Sequence, residues 1–270
     1  MTTGFIALDG ERLELLHIAP ERRGRPLVFL HEGLGSVAAW RDFPRRLCDA
    51  LAAPGLVYSR RGYGRSSPEP GPRGTDYLHR EAHQVLPALL AALDLRAPLL
   101  VGHSDGGSIA LLAAAQAPPG SGPHAPAAIA VMAPHVLVEE VTLAGVRAAR
   151  IAWQIGGPAG KLQTLLAESH DDPQSAFLRW SDAWTADDFR HWNIEREIEA
   201  ITCPVLAIQG HDDQYGTMAQ IDRIARRVGG PCRLLKLDRC GHAPHREQPA
   251  AVIDAIGTLY RALDTADQSA

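Results

Sequence analysis

A chain of 270 residues, 46% of them apolar and 21% charged, has room for one large domain or a domain carrying an insertion. That composition excludes a wholly disordered or low-complexity protein. A formal net charge of −4 excludes a general basic field that would recruit nucleic acid or an anionic membrane.

The chain opens with two short apolar segments, Phe5–Leu8 and Leu13–Ala19, separated by Asp9-Gly10. An Asp-Gly pair between strand-like runs predicts a β-hairpin, because glycine supplies the positive φ of a tight turn. Strand and helix then alternate. Short apolar runs predict buried strands at Pro26–His31, Leu56–Ser59, Pro98–Gly102, Ala127–Met132, Val205–Gln209 and Arg233–Leu237. Helical patterns lie between them at Val37–Ala52, Asp76–Leu93, Gly106–Ala117, Thr217–Val228 and Glu247–Leu263. This alternation predicts an α/β fold, a mostly parallel sheet with helices on both faces and the hairpin as an antiparallel edge.

From Val136 to Ile201 the rhythm stops. Helical signals cover Val141–Ile155, Pro158–Glu168, Pro173–Trp184 and Ala186–Ala200, with the prolines as helix starters, and no strand is convincing. Four of the five tryptophans (Trp153, Trp180, Trp184, Trp192) fall here. The expected organisation is a core of residues 1–135 and 202–270 with a helical cap, 136–201, inserted between two strands. The segment holds 6 basic and 11 acidic residues, an imbalance best read as a solvated outer face.

The strongest chemical signal is Gly102-His103-Ser104-Asp105-Gly106, where a strand ends and a helix begins. In that context G-x-S-x-G is a nucleophile elbow, holding the serine hydroxyl out at the end of the sheet. A serine nucleophile needs a base and an orienting acid. Beyond the strand Val205–Gln209 stand Asp212 and Asp213, and beyond the last strand stands His242. The chain order is serine, aspartate, histidine, each just past a strand's carboxyl end, where open α/β sheets place their sites. The glycine-rich turn His31-Glu32-Gly33-Leu34-Gly35 exposes a backbone N–H after the third strand, and the Asp105 amide supplies a second donor for an oxyanion.

With these pieces, and with Arg61-Gly62-Tyr63-Gly64-Arg65-Ser66, Gly210-His211-Asp212-Asp213 and Gly241-His242-Ala243-Pro244, the chain resembles the α/β-hydrolase family over nearly its whole length. The resemblance implies an eight-stranded sheet with the cap after the sixth strand. It also implies Ser104, Asp213 and His242 as a catalytic triad. Asp213 is preferred to Asp212 because the family's acid usually stands three residues after the glycine. Most relatives carry glycine where this chain has Glu32; the Gly33 amide is preferred to that of Leu34 as the oxyanion donor. Relatives that open epoxides or remove halogens use an aspartate nucleophile, and the epoxide enzymes add cap tyrosines. Here the nucleophile is a serine and the cap holds no tyrosine, so both activities drop out.

The expected activity is hydrolysis of a small or medium, mainly apolar carboxylic ester, thioester or lactone. The alternatives are a C–C hydrolase of vinylogous diketones or a ligand receptor on a hydrolase scaffold. Leu34, His135, Trp153, Trp184 and Tyr215 are candidates for the substrate pocket, although a structural use is the favoured reading of His135, an equally good one of Tyr215, and the tryptophans are often cap core. His31 and His103 read as braces for the elbow loops. Arg60, Arg61 and Arg65 read as a solvated or salt-bridged loop. A Glu32 side chain pointed at an oxyanion would oppose it, so it is expected to turn to an arginine or a helix N-terminus. No set of His and Cys residues has metal-ligand spacing and no nucleotide fingerprint stands in context, so no metal or cofactor is expected. Four scattered cysteines predict reduced thiols. No apolar run spans a bilayer and Met1–Arg12 lacks a secretory pattern; a soluble, cytoplasmic protein acting on a small molecule is expected.

Overall fold

The computed structural model describes residues 1–156 and 160–267. The chain begins with strands β1 (Thr2–Leu8) and β2 (Glu11–Ile18), paired antiparallel from Leu8↔Glu11 outward. Asp9 and Gly10 both take positive φ, 50° and 81°, the backbone of a two-residue turn whose twist matches its strands. Then follow β3 (Leu27–Leu30), α1 (Phe43–Leu51), β4 (Gly55–Tyr58), α2 (Tyr77–Arg80) and α3 (Leu86–Ala92), the last two joined by a π turn. After them come β5 (Leu99–His103), α4 (Asp105–Gln116) and β6 (Ala128–Met132). The chain then runs through α5 (Glu140–Gly156), α6 (Lys161–Ala167) and α7 (Pro173–Thr185) before rejoining the sheet. It closes with β7 (Val205–Gly210), α8 (Ala219–Arg227), β8 (Cys232–Leu237), α9 (Pro244–Glu247) and α10 (Pro249–Asp267).

The eight strands form one sheet in the order β1-β2-β4-β3-β5-β6-β7-β8. From β4 through β3 to β8 the pairing is parallel; β2 pairs antiparallel with both β1 and β4. Strands β3 to β7 have every residue buried, which is why they read as continuous apolar runs. Two apolar clusters cover the two faces. One contains α4 and the side chains Phe177, Trp184 and Ile198 from the segment after β6; the other packs α1 and α10 against the sheet. The chain passes from β3 outward to β4, then back across β3 to β5, so the loops after β3 and β5 diverge from a shared crevice.

Three predicted helices are corrected. Val37–Ala52 is a 3-10 turn (Ala38–Trp40) followed by α1, broken at Arg41 with φ 55°, and Pro44 marks the real start. Glu247–Leu263 is interrupted at Gln248, whose backbone leaves the helical region (φ −134°, ψ 56°) ahead of Pro249. Ala186–Ala200 is only two 3-10 turns, Asp187–His191 and Glu197–Ala200. Between these turns the backbone pairs with the chain leaving β6: the Ile194 amide donates to the Val136 carbonyl at 2.8 Å, and Asn193 bridges Leu137. The Asn193 side chain accepts the Glu195 amide at 2.7 Å, a local turn that competes with helix. The proposed starter Pro158 lies outside the described residues.

Candidate active site

The sharp β5–α4 turn places Ser104 at φ 52° and ψ −118°, a backbone that side-chain-bearing residues rarely adopt. Surrounding packing enforces it. A Cβ on Gly102 would run into the Gly106 carbonyl, and one on Gly106 into the Leu30 carbonyl oxygen, so β5, α4 and β3 approach more closely than any other residue allows. Helix α4 is buried from Asp105 to Ala114 and holds the turn. The Asp105 amide opens that helix, where no intrahelical acceptor exists for it and the helix dipole is positive. Its carboxylate turns underneath, buried, taking a hydrogen bond from Tyr77 at 2.8 Å and facing Arg60 at 3.6 Å.

The structure brings Ser104, His242 and Asp213 together. Ser104 Oγ donates to His242 Nε2 at 3.0 Å, and His242 Nδ1 lies 2.9 Å from both Asp213 oxygens. Gly210, at the end of β7, permits the meeting: a Cβ there would strike the Cys240 carbonyl of the loop that carries His242. Asp213 Oδ1 also accepts the Tyr215 amide at 2.7 Å and the Gly216 amide at 3.3 Å, while Oδ2 accepts Gln209 Nε2 at 2.7 Å. Burial alone would raise this carboxyl, but the His242 hydrogen bond and charge and the Tyr215 amide bring it below its ordinary range. It is a carboxylate near neutral pH. Asp212 touches neither partner through its side chain; its amide donates to the Cys240 carbonyl at 2.9 Å.

A cavity of about 130 Å³ opens at Ser104 and His242. Gly33, Leu34, His135, Trp184 and Tyr215 line it, as do three residues the sequence reading did not place there: Thr142, Val146 and Trp180. Trp180 and Trp184 stand one helical turn apart on α7, a spacing that could have flagged them as one face. Trp180 packs its pyrrole edge on Gly33, leaving no room for a Cβ. Trp153 is not among the lining residues; it stacks on Phe177 with centroids 4.3 Å apart, inside the helical segment. Burial drives His135 from an ordinary 6.5 down to about 4, with the neighbouring His242 adding to the shift, so a neutral ring faces the cavity.

Glu32 turns to His103 and Arg246. Its oxygens lie 3.5 Å from His103 Nδ1 and 3.9 Å from Arg246. Although burial would raise its carboxyl, the contact and charge of His103, with Arg246 behind, hold it well below the usual range. His103 donates from Nε2 to the His242 carbonyl at 2.7 Å, and His31 Nε2 accepts the Arg60 amide at 3.0 Å, so both histidines tie loops. Arg60 is buried in ion-pair contact with Asp105, and Arg61 pairs with Glu11 at 2.5 Å.

The helical segment is anchored on these same loops. His170 Nε2 contacts the Gly35 carbonyl at 3.2 Å, the Asp171 amide donates to Gly64 at 2.9 Å, and Thr142 donates to the Tyr215 carbonyl at 2.5 Å. A larger open groove of about 700 Å³ lies at the opposite, amino ends of β3, β4 and β5, lined by Pro26, Gly55 and Arg96. It holds none of the residues around Ser104, and α/β sheets place their ligands at the carboxyl ends. Among the described residues, no group of three or more His, Cys, Asp or Glu could hold a metal ion, and no helix is long and apolar enough to cross a membrane. The four cysteines are free thiols, pushed by burial to about 12 at Cys48 and about 11 at the others.

An imidazole hydrogen-bonded to a serine on one side and to a carboxylate on the other can take the hydroxyl proton and return it to a leaving group. Comparison with known proteins agrees with the architecture around it. The non-heme chloroperoxidase CPO-A1 of Kitasatospora aureofaciens is 36% identical over 85 residues, 32% of this chain and 29% of that protein. The 2-succinyl-6-hydroxy-2,4-cyclohexadiene-1-carboxylate synthase of Salmonella paratyphi C (strain RKS4594) is 24% identical over 263 residues, 90% of this chain and 96% of that protein. The enol-lactonase from Burkholderia xenovorans LB400 superimposes with a TM-score of 0.72 at 17% identity, covering 94% of this chain and 98% of that one. Residues 27–255 match the Alpha/beta hydrolase family, and the chain belongs to it.

Proposed function

We propose that the protein is a cytoplasmic serine hydrolase of small carboxylic esters. The observation that carries this reading is the continuous hydrogen-bonded line from Ser104 Oγ through His242 to Asp213, at 3.0 and 2.9 Å, opening on a cavity. Ser104 attacks the ester carbonyl while His242 Nε2 takes its proton. Asp213 holds the imidazole by Nδ1 and stabilises the charge it gains. The amides of Asp105 and Gly33 hold the developing oxyanion. The proton passes from His242 to the leaving alcohol, leaving Ser104 acylated, and a water activated by the same imidazole then releases the acid. No metal or cofactor enters any step.

The size of the acyl group follows from the cavity. An apolar cavity of about 150 Å³ takes a benzene ring, so one of about 130 Å³ takes a short acyl chain. Leu34, Val146, Trp180 and Trp184 favour an apolar group there. In this reading residues 1–135 and 202–270 are the catalytic core, and 136–201 is a cap that roofs the serine and selects the substrate.

The test is a series of p-nitrophenyl esters from acetate to octanoate, assayed with the native protein and with Ser104→Ala, beside a vinylogous diketone. Expected are turnover of the short esters, no change after EDTA dialysis, and a loss on the order of 10³–10⁶ in kcat for Ser104→Ala. Undiminished hydrolysis by the variant would remove Ser104 from the mechanism. Preferential cleavage of the diketone would move the activity to C–C bonds on the same residues.

A further inference from the structure

We infer that Gln209 is a positioning residue, fixing the plane and tempering the charge of the Asp213 carboxylate that holds His242. The inference rests on the reading of Ser104, His242 and Asp213 as the reacting set. Gln209 is the penultimate residue of β7, fully buried, four residues before Asp213. Its Nε2 donates to Asp213 Oδ2 at 2.7 Å and to the Gly216 carbonyl at 3.0 Å. Both partners are acceptors, so the amide nitrogen must face them and the orientation is fixed by chemistry. The same orientation leaves Gln209 Oε1 buried without a partner among the described residues. Strand neighbours at this depth are Ala207 and Ile208, and an aliphatic side chain would avoid that unmet acceptor. Its retention is explained if the two N–H groups serve Asp213 and the turn behind it.

The two carboxylate oxygens are served differently. Oδ1 is held by the Tyr215 and Gly216 amides, parts of the backbone that cannot swing away. Oδ2, apart from its contact with His242, is held by Gln209. Without that donor the carboxylate is free to rotate about its Oδ1 anchor, and the equal 2.9 Å approach of both oxygens to Nδ1 is lost. Oδ2 also keeps more of its charge for the imidazole when it is not shared. The groups facing His242 are Asp213, Ser104, Tyr215, His103, His135 and His245. Replacing Gln209 removes none of these groups, and Gln209 does not line the cavity, so the expected change is in the orientation of Asp213 and not in substrate binding.

The experiment compares Gln209→Met, similar in length but without the donor, with Gln209→Glu, nearly isosteric, on p-nitrophenyl butyrate across pH, with folding followed by circular dichroism. Gln209→Met is expected to lose about ten- to a hundredfold in kcat, the range typical for outer hydrogen-bond partners of functional groups, with KM little changed. The acid limb of its pH profile moves to higher pH, because a less shared carboxylate stabilises the imidazolium more. Gln209→Glu donates only while its new carboxyl is protonated, so its activity relative to native falls as pH rises, a reversal that simple misfolding does not produce. A folded Gln209→Met with native kcat and an unmoved acid limb overturns the inference. Should that variant not fold, a native pH profile for Gln209→Glu overturns it. Persistent activity in Ser104→Ala instead overturns the underlying reading, and a fluorophosphonate probe that labels Ser104 in the native protein separates the two failures.

Discussion

At the scale of single residues, the choice between two adjacent aspartates is decided by direction. Asp213 points its carboxylate at His242 and gathers the Tyr215 and Gly216 amides, whereas Asp212 offers its amide to the Cys240 carbonyl. Asp213→Asn keeps the size but loses the charge that holds the imidazole tautomer; kcat is expected to fall by up to about 10⁴, with Asp212→Asn near native. Steady-state kinetics of the two variants check this, and the opposite ranking would reassign the acid. The elbow, the histidine and the aspartate pair were all legible because small residues at fixed offsets carry the signal: glycine where two backbones touch, and polar residues just past strand ends. The lining of the cavity was less legible. Thr142, Val146 and Trp180 reach Ser104 from helices whose placement depends on tertiary packing, and no local pattern marks one face of a helix in an apolar segment as inward. Glu32 was legible only as a departure. The groups it turns to, His103 and Arg246, come from distant parts of the chain.

At the scale of elements, the strands were read to within two or three residues, and for β3 to β7 this is because full burial gives unbroken apolar runs bounded by glycine, proline or charge. Strand β8, expected to be buried, is an edge strand with only Leu237 buried. The long helix expected over Ala186–Ala200 failed because Ile194 and Asn193 spend their backbone on the strand exit at Val136 and Leu137, a pairing across some 57 residues that propensity cannot see. Helix α5 meets the cavity through Thr142 and Val146, and Gly145 lets it approach Tyr215, since a Cβ there would collide with the ring. This makes α5 the element through which acyl length should be tunable. Val146→Ala is expected to shift the preferred p-nitrophenyl ester to a longer chain, and Val146→Phe to a shorter one, with the maximal rate on acetate changed little. An identical chain-length profile in both variants would place selection elsewhere in the pocket. Replacing the whole span 137–200 by a linker would strip the apolar cluster of α4, because Phe177, Trp184 and Ile198 share it.

At the scale of the whole molecule, four buried histidines, His31, His135, His170 and His245, set the response to acid, His170 being lowered chiefly by burial like the others. His31 and His245 are held well below their ordinary value and His135 at about 4, in each case mainly by burial. The unfolded chain takes up protons near pH 6.5 while the folded chain refuses them, so stability present above that pH is lost as pH falls. For His135 the loss is on the order of 3 kcal/mol between pH 6.5 and 4. The depressed carboxyls of Asp213 and Glu32 extend the decline through and below the usual carboxylate range. Urea unfolding at pH 7, 6 and 5 is expected to give steadily lower midpoints; equal midpoints would mean that these rings are solvated in the native state. None of this could be read from twelve scattered histidines, since burial of a ring is a property of the assembled sheet.

Helix α4 is sealed from Asp105 to Ala114, and the backbone of Ser104 is held by it and by the hydrogen bond its amide donates to the Met132 carbonyl at 2.9 Å. A helix with no face toward water has no partial way of coming apart. Its amides should therefore exchange with deuterium only when the entire molecule unfolds, whereas those of α5, where Ile151 and Ile155 lie exposed, should exchange through local opening. Mass-resolved exchange reads the difference directly, and early exchange in α4 would contradict it. Heat would then act in two stages: the helices after β6 loosen first, while Ser104 keeps its unusual backbone until everything is lost at once.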